Sequence, residues 1–403
     1  MPELRHRPVA TATGRFRTIF LMDTLRTENT LETVLQNYLG LFWALRDQEI
    51  KFIVLMTMEP ELLNKSGSDF RNRLQTGLQV RHKLDFQIRS TVDICRLLKE
   101  LLPSLSPEEC KRLQYPSLFA QDPFVALQYA PGFLVMLSSI YSSIAFSYAF
   151  ISDAIADGVG EEKRFVLPTY YTLTGGNILA QPDWAIIGRD TLDLNLNREF
   201  TPAVLEIPGN YDKQVAQITL ELQALLGVST IYWTGTDFSY PQNPFFQQGK
   251  YQPSFHIDFY LTPVGPSQNP ETCVWEELIF VGELVTYNTS MEPEQLKVIE
   301  QIGKGLDEAA AYFSELESPA GLPFRVKRIP LLLVGVTDQR EVVNKLLSWN
   351  QVLVQNTKTN AQVFMPDYVV SSDKTDGEVY AEYQQDAIEA YASEGFSVTM
   401  VQG

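Results

Sequence analysis

Cysteine, histidine and positive charge are all scarce in this chain of 403 residues. The three cysteines, Cys95, Cys110 and Cys273, are widely spaced and form no CxxC pair. That excludes a disulfide framework or a zinc cluster and fits a reducing compartment, so a cytoplasmic location is expected. Lys and Arg number 32 against 49 Asp and Glu, a net charge of -17. The resulting field repels phosphate backbones and anionic bilayers, which argues against nucleic acid or a membrane as a partner. Surplus acid serves solubility, and it also draws in a cationic small molecule or a basic peptide.

No secretory leader is expected either. The opening residues are Arg-rich without a continuous apolar stretch, and Glu3 weakens a transit-peptide reading, so residues 1–16 are expected to form a tail leading into a strand. One segment imitates a membrane span, because no charged residue occurs from Phe124 to Ser152. Pro131-Gly132 breaks it into FVALQYA and FLVML, a hairpin pattern, and the remainder is serine-rich. Ile140, Ile144, Ile151 and Ile155 there share one helical face, which predicts a buried amphipathic helix.

What the chain does contain is a recurring unit of strand, turn, strand, helix, strand, whose copies share little sequence. The first copy follows Asp122 (FVALQY, APG, FLVML), continues in a helix of about Ser138 to Ala156 and ends in the strand from Phe165. The second follows Asn177 (ILAQ, PD, WAIIG), runs into a helix from Tyr211 and ends in VSTIYW. A third opens at His256-Ile257-Asp258, with a helix of about Pro293 to Leu316 whose Ile299, Ile302, Leu306 and Phe313 make it amphipathic, and ends in FRVKRIPLLLV. The fourth follows Asn350, and its helix and last strand are joined by Gly395, a C-cap signal. A less regular fifth copy at the N-terminus has the strand RTIFLMD, a helix of about Leu31 to Arg46 and the strand KFIVLM. Residues 81–115 read as a helical insertion. No linker separates the copies, so a single α/β domain over residues 17–403 is expected.

Each hairpin begins at a polar residue: Asp122, Asn177, Asp258 or Asn350. Arranged about a pseudo-symmetry axis, these would line one site with carboxylates and amides; alternatively, Asp and Asn only punctuate strand starts. His256, one of three histidines, sits two residues from Asp258. On a strand the two side chains would share a face and act on one ligand. No phosphate loop, Ser-His-Asp order or metal-ligand cluster is present to suggest another chemistry.

Taken in order, Phe119-Ala120-Gln121-Asp122-Pro123-Phe124, Thr174-Gly175-Gly176-Asn177-Ile178-Leu179 and His256-Ile257-Asp258 resemble three motifs of the guanidino-group-modifying enzymes. These form the pentein superfamily of arginine deiminase, agmatine deiminase and amidinotransferases. Ser348-Trp349-Asn350 to Pro366 also resembles the family's penultimate hairpin, and the resemblance spans about Arg17 to Gly403.

The resemblance implies a five-bladed αβ propeller with a guanidinium pocket on its axis, no cofactor, and a small guanidino compound or an arginine side chain as the partner. Asp122 and Asp258 would grip the planar cation bidentately. A cysteine thiolate would attack its carbon, and His256 would protonate the departing amine and then activate water. Thr174, Asn177 and Asn350 would line the substrate. Two departures bear on activity. Thr174 stands where deiminases carry an acidic residue before the Gly-Gly pair. The family's nucleophilic cysteine follows the last strand, and this sequence stops at Gly403 ahead of that loop. Cys95, Cys110 and Cys273 read as structural thiols. The chain is therefore expected to be either a deiminase- or amidinotransferase-type C–N enzyme lacking a cysteine at the nucleophile position, or a non-catalytic protein that binds a guanidino ligand or a protein.

Overall fold

The computed structural model describes residues 7–8, 18–25, 40–41, 44–45, 51–58, 85–90, 125–130, 133–139, 164–169, 171–196, 210–236, 239–240, 249–287, 289, 291–338, 341–357, 360–369 and 374–402. It is an α/β protein. Its strands are β1 (Arg7–Pro8), β2 (Thr18–Leu25), β3 (Lys51–Met58), β4 (Asp85–Ser90), β5 (Val125–Ala130), β6 (Phe133–Ser139), β7 (Arg164–Thr169), β8 (Ile178–Ala180), β9 (Trp184–Gly188), β10 (Thr230–Thr234), β11 (Leu261–Gln268), β12 (Trp275–Tyr287), β13 (Phe324–Asp338), β14 (Glu341–Ser348), β15 (Leu353–Asn356), β16 (Ala361–Asp367) and β17 (Ser397–Gln402). Four α-helices are described along their length, α1 (Arg189–Leu196), α2 (Tyr211–Leu226), α3 (Pro293–Ser314) and α4 (Lys374–Ser393), and Gly40, Leu41 and Ala44 are helical as well.

The repeat read from the sequence is a repeat of pairing. In four sheets an antiparallel hairpin is followed by a strand parallel to its second arm: β5-β6-β7, β8-β9-β10, β11-β12-β13 and β15-β16-β17. β2, β3 and β4 form a fifth sheet, all parallel. A parallel neighbour requires a crossover, and a helix supplies it in three of these sheets: α2, α3 and α4. α2 begins where Asn210 Oδ1 accepts from the Lys213 N–H at 3.2 Å and ends at Gly227, whose φ of 75° needs the freedom of glycine. α3 starts with Pro293, and Gln295 Oε1 accepts from the Glu292 N–H at 2.9 Å.

By contacts the chain divides into two compact units, one of Met1–His6, Phe16–Gly175 and Asn195–Glu206, the other of Arg7–Arg15, Gly176–Leu194 and Ile207–Gly403. The first holds the β2-β3-β4 sheet and the hairpin sheet of β5 to β7. The second is built on β11-β12-β13-β14. Strand alternation sends this sheet's side chains to two cores. Ile279, Val281, Leu331 and Leu333 pack with Trp184, Tyr232 and the α3 face of Ile299, Ile302, Leu306 and Phe313. Leu278, Phe280, Leu332 and Val334 pack with Trp349, Val363 and Tyr391 on the opposite side.

Three expectations are corrected. Asp85–Ser90 is a strand parallel to β3 and not part of a helical insertion, because Phe86 and Ile88 alternate with polar neighbours at the period of a strand. The rest of 81–115 lies outside the described residues. Ser138 and Ser139 belong to β6, not to a helix; the remainder of that expected helix is likewise outside them. The third hairpin opens at Leu261, and His256 to Asp258 precede the strand. Three elements were not expected: β1, within the stretch read as a tail; α1, whose Leu192, Leu194 and Leu196 alternate as in a strand; and β14, which folds back on β13 after a two-residue connection.

Candidate functional site

Gly175–Asn177 form a single 3-10 turn leading into β8. Asn177 ends it with its side chain turned inward, 3% exposed. Its Oδ1 accepts from the Ile257 N–H at 3.2 Å and from Gln252 Nε2 at 2.6 Å, and its Nδ2 donates to the Phe255 carbonyl at 3.3 Å. One amide thus meets polar groups from three residues of the segment that carries His256. Asparagine suits the position because the site needs an acceptor and a donor together.

Gly176 leaves room for the imidazole. A Cβ there would stand 2.4 Å from His256 Nδ1 and 2.8 Å from its Cγ, closer than real side chains approach, so glycine is required for the ring to lie against the turn. Gln252 is wholly buried. Its Nε2 also donates to the Phe255 carbonyl at 3.1 Å, and its Oε1 accepts from the Asp190 N–H at 3.3 Å. Asp190, in the first turn of α1, holds the bent run before Gln252 by accepting from the N–H groups of Lys250 (2.7 Å) and Tyr251 (2.6 Å). Burial raises the Asp190 carboxyl above the usual carboxylate range in spite of those bonds.

His256 has extended backbone, φ -128° and ψ 148°, just ahead of a second 3-10 turn, Ile257–Phe259, closed by the Tyr260 N–H on the Ile257 carbonyl at 3.1 Å. The shared strand face expected for His256 and Asp258 is therefore replaced by a turn, in which residues two apart do not project to the same side. The imidazole packs beside the Phe255 ring, centroids 4.4 Å apart. Burial pulls its pKa from 6.5 to about 4, so at neutral pH the ring is uncharged and able to accept a proton. Folding stability should respond. Between pH 6.5 and about 4 the unfolded chain binds a proton at His256 that the folded chain does not, so this residue's contribution falls as pH drops through that window, by on the order of 3 kcal/mol in all. Urea unfolding of wild type and His256→Gln across pH 4 to 7 checks it: the difference between the two should shrink as the pH falls.

Asp258 lies inside the turn, half-buried, with Oδ1 out of contact with water. The turn is also tied at its far end, where Ser348 Oγ donates to the Phe259 carbonyl at 2.5 Å. The Asn350 N–H donates to that same hydroxyl oxygen at 3.1 Å, and Thr262 Oγ1 donates to the Asn350 carbonyl at 2.8 Å. Asn350 is 3% exposed, and its Nδ2 carries no hydrogen bond among the described residues. The Ile257–Phe259 turn, which follows His256 and contains Asp258, is thus bonded to Asn177 at one end and to Ser348 at the other, whose hydroxyl also meets the Asn350 N–H. Thr174 is half-buried, just ahead of the first turn. Asp122, Cys95 and Cys110 lie outside the described residues.

Cys273 is exposed, with φ 58°, in the turn between β11 and β12. The eight residues of β11 separate it from the His256 end of the hairpin, a strand length of roughly 26 Å. It is thus far from the imidazole. Gln252 and Asp190 were not found by reading the sequence; they belong to no motif, and only the fold brings them to His256. Among the described residues no group of His, Cys, Asp and Glu is placed to hold a metal ion, and no helix is long and apolar enough to cross a membrane.

No family model matches the sequence, and no curated protein matches it. Solved structures do. A structure assigned as a peptidyl-arginine deiminase aligns over 98% of this chain and 93% of its own, at 12% identity and a TM-score of 0.58. An agmatine deiminase of Enterococcus faecalis aligns over 98% and 90%, at 10% identity and a TM-score of 0.56. A cysteine-to-serine variant of the C. jejuni agmatine deiminase, solved with substrate bound, aligns over 98% and 90%, at 13% identity and a TM-score of 0.51. Nearly the whole chain follows the path of these three structures, at identities that speak for the fold alone, and the chain has the α/β fold seen in them.

Proposed function

We propose that this protein binds the guanidinium of a small arginine-like compound or of an arginine side chain and acts on it as a deiminase- or amidinotransferase-type C–N enzyme. In this reading the domain is a five-bladed αβ propeller with the pocket on its axis, working in the cytoplasm. The observation that carries the reading is the close seating of His256 against Gly176, with Asp258 fixed two residues on, in a chain that follows the agmatine deiminase fold.

The chemistry assigns each residue a part. A guanidinium keeps its proton at all ordinary pH and has its donors in a planar fork, so a carboxylate such as Asp258, with Asp122 as its partner, binds it with paired N–H bonds. A cysteine thiol would give its proton to the neutral His256 imidazole as its sulfur attacks the central carbon, forming a tetrahedral adduct. As the C–N bond breaks, the departing nitrogen takes that proton, and the imidazole, neutral again, accepts one from the water that hydrolyses the thiouronium, or from the amine that receives the amidino group. Asn177 and Asn350 hold the turn that presents these groups; Thr174 leaves its end of the pocket without a charge. The place of Cys273, roughly 26 Å along β11 from His256, favours a second reading, in which the site binds guanidino ligands without turning them over.

Release of ammonia, urea or a citrulline-type product from arginine, agmatine and peptidyl-arginine separates the two. Under either, calorimetry should show binding of at least one of these cations, weakened about 10- to 100-fold in Asp258→Asn, the range expected on neutralising a charged hydrogen-bond partner. Product formation establishes the enzyme; binding without product leaves the binding protein; no binding at all sinks both.

A further inference from the structure

We propose that Gln252 and Asp190 are positioning residues that hold His256 in register with Gly176 and Asp258. The inference rests on His256 being the working imidazole of the proposed site. Its basis is how completely the structure is built around these two side chains. Gln252 uses both N–H groups and its carbonyl oxygen, to Asn177 Oδ1, the Phe255 carbonyl and the Asp190 N–H. Each bond ends on a residue next to His256, on the turn against which the ring packs, or on the clamp that holds the approaching chain. Asp190 fixes that chain through Lys250 and Tyr251.

Three glycines give up their side chains to the arrangement. A Cβ on Gly188 would lie 2.2 Å from Gln252 Oε1, one on Gly249 would lie 2.4 Å from Gln252 Cγ and 2.5 Å from Asp190 Oδ2, and one on Gly176 would meet the His256 ring. Simple space filling needs none of this, since a buried methionine would occupy the volume of Gln252 without polar partners to satisfy. Three directed bonds specify orientation as well as packing.

Gln252→Met keeps the volume and removes the bonds, and Gln252→Glu replaces both donors by an acceptor facing Asn177 Oδ1 and the Phe255 carbonyl. Asp190→Asn is the milder companion should either fail to fold. The readout is the imidazole signal of His256 in heteronuclear NMR against pH, assigned with His256→Gln, together with calorimetry on agmatine and arginine. In wild type the ring should stay neutral down to about pH 5. In the variants its midpoint should rise by about one unit or more toward the exposed value, and guanidino affinity should fall about tenfold. Variants that lose thermal stability while the His256 midpoint and the affinity stay at wild-type values would overturn the proposal and leave Gln252 as packing. A shifted midpoint in protein whose wild type binds no guanidino compound would uphold the positioning and overturn the functional reading on which it rests.

Discussion

Replacing Asn177 by alanine is expected to remove about 2 to 5 kcal/mol of stability and to release His256 from its buried, uncharged state. The Ile257 N–H and Gln252 Nε2 would lose their acceptor and the Phe255 carbonyl one of its donors, and a buried polar group left without a partner costs about 1 to 3 kcal/mol. Gln252 Nε2 keeps its bond to Phe255, which is why the total falls short of three full penalties. Asn177→Asp should be intermediate, since it retains the acceptor and loses the donor. Urea unfolding measures the stability and the His256 imidazole signal measures the release. A loss below about 1 kcal/mol would mean that the turn is held by something other than this amide.

Gly176→Ala should act through space alone. The added methyl would lie 2.4 Å from His256 Nδ1, so the ring must turn away or the 3-10 turn must shift, at a cost of about 1 to 3 kcal/mol for overpacking. The larger effect is on function. A displaced imidazole cannot exchange protons with a group bound at Asp258, and a misplacement of about 1 Å is enough to cost about a hundredfold in rate. Circular dichroism should show a folded protein, and guanidino binding and any turnover should be lost. Full retention of both would show that the ring has room elsewhere and that the approach of Gly176 is incidental.

Much of the fold was legible because the hairpins write themselves as paired short apolar runs. The strands at Val125–Ala130, Phe133–Ser139 and Trp184–Gly188 carry apolar runs of strand length broken by turn residues, and α2 and α3 open at residues that cap or start a helix. Asp85–Ser90 was misread because an amphipathic strand of six residues sits among segments of helical composition. Helix α1 escaped since its apolar residues, Leu192, Leu194 and Leu196, alternate at the period of a strand.

The candidate site was legible only in part. Asn177, His256, Asp258 and Asn350 stand out as polar residues just ahead of strands, and their motifs resemble a family whose fold the chain shares. The expected strand geometry of His256 and Asp258 was wrong, because the closing bond from Tyr260 to Ile257 makes a turn that alternation cannot foresee. Gln252 and Asp190 are 62 residues apart in sequence. Nothing local marks a glutamine as buried, and the reason for Gly188 and Gly249 appears only once Gln252 is seen between them.

The claim that this site takes a guanidinium is tested most directly by titrating agmatine and arginine into the wild-type protein while following the imidazole signals of its three histidines. The account predicts a saturable shift of the His256 signal, abolished in Asp258→Asn, with His6 and His82 unmoved. A His256 signal that stays in place at every concentration of both compounds, in a protein that remains folded, would contradict it.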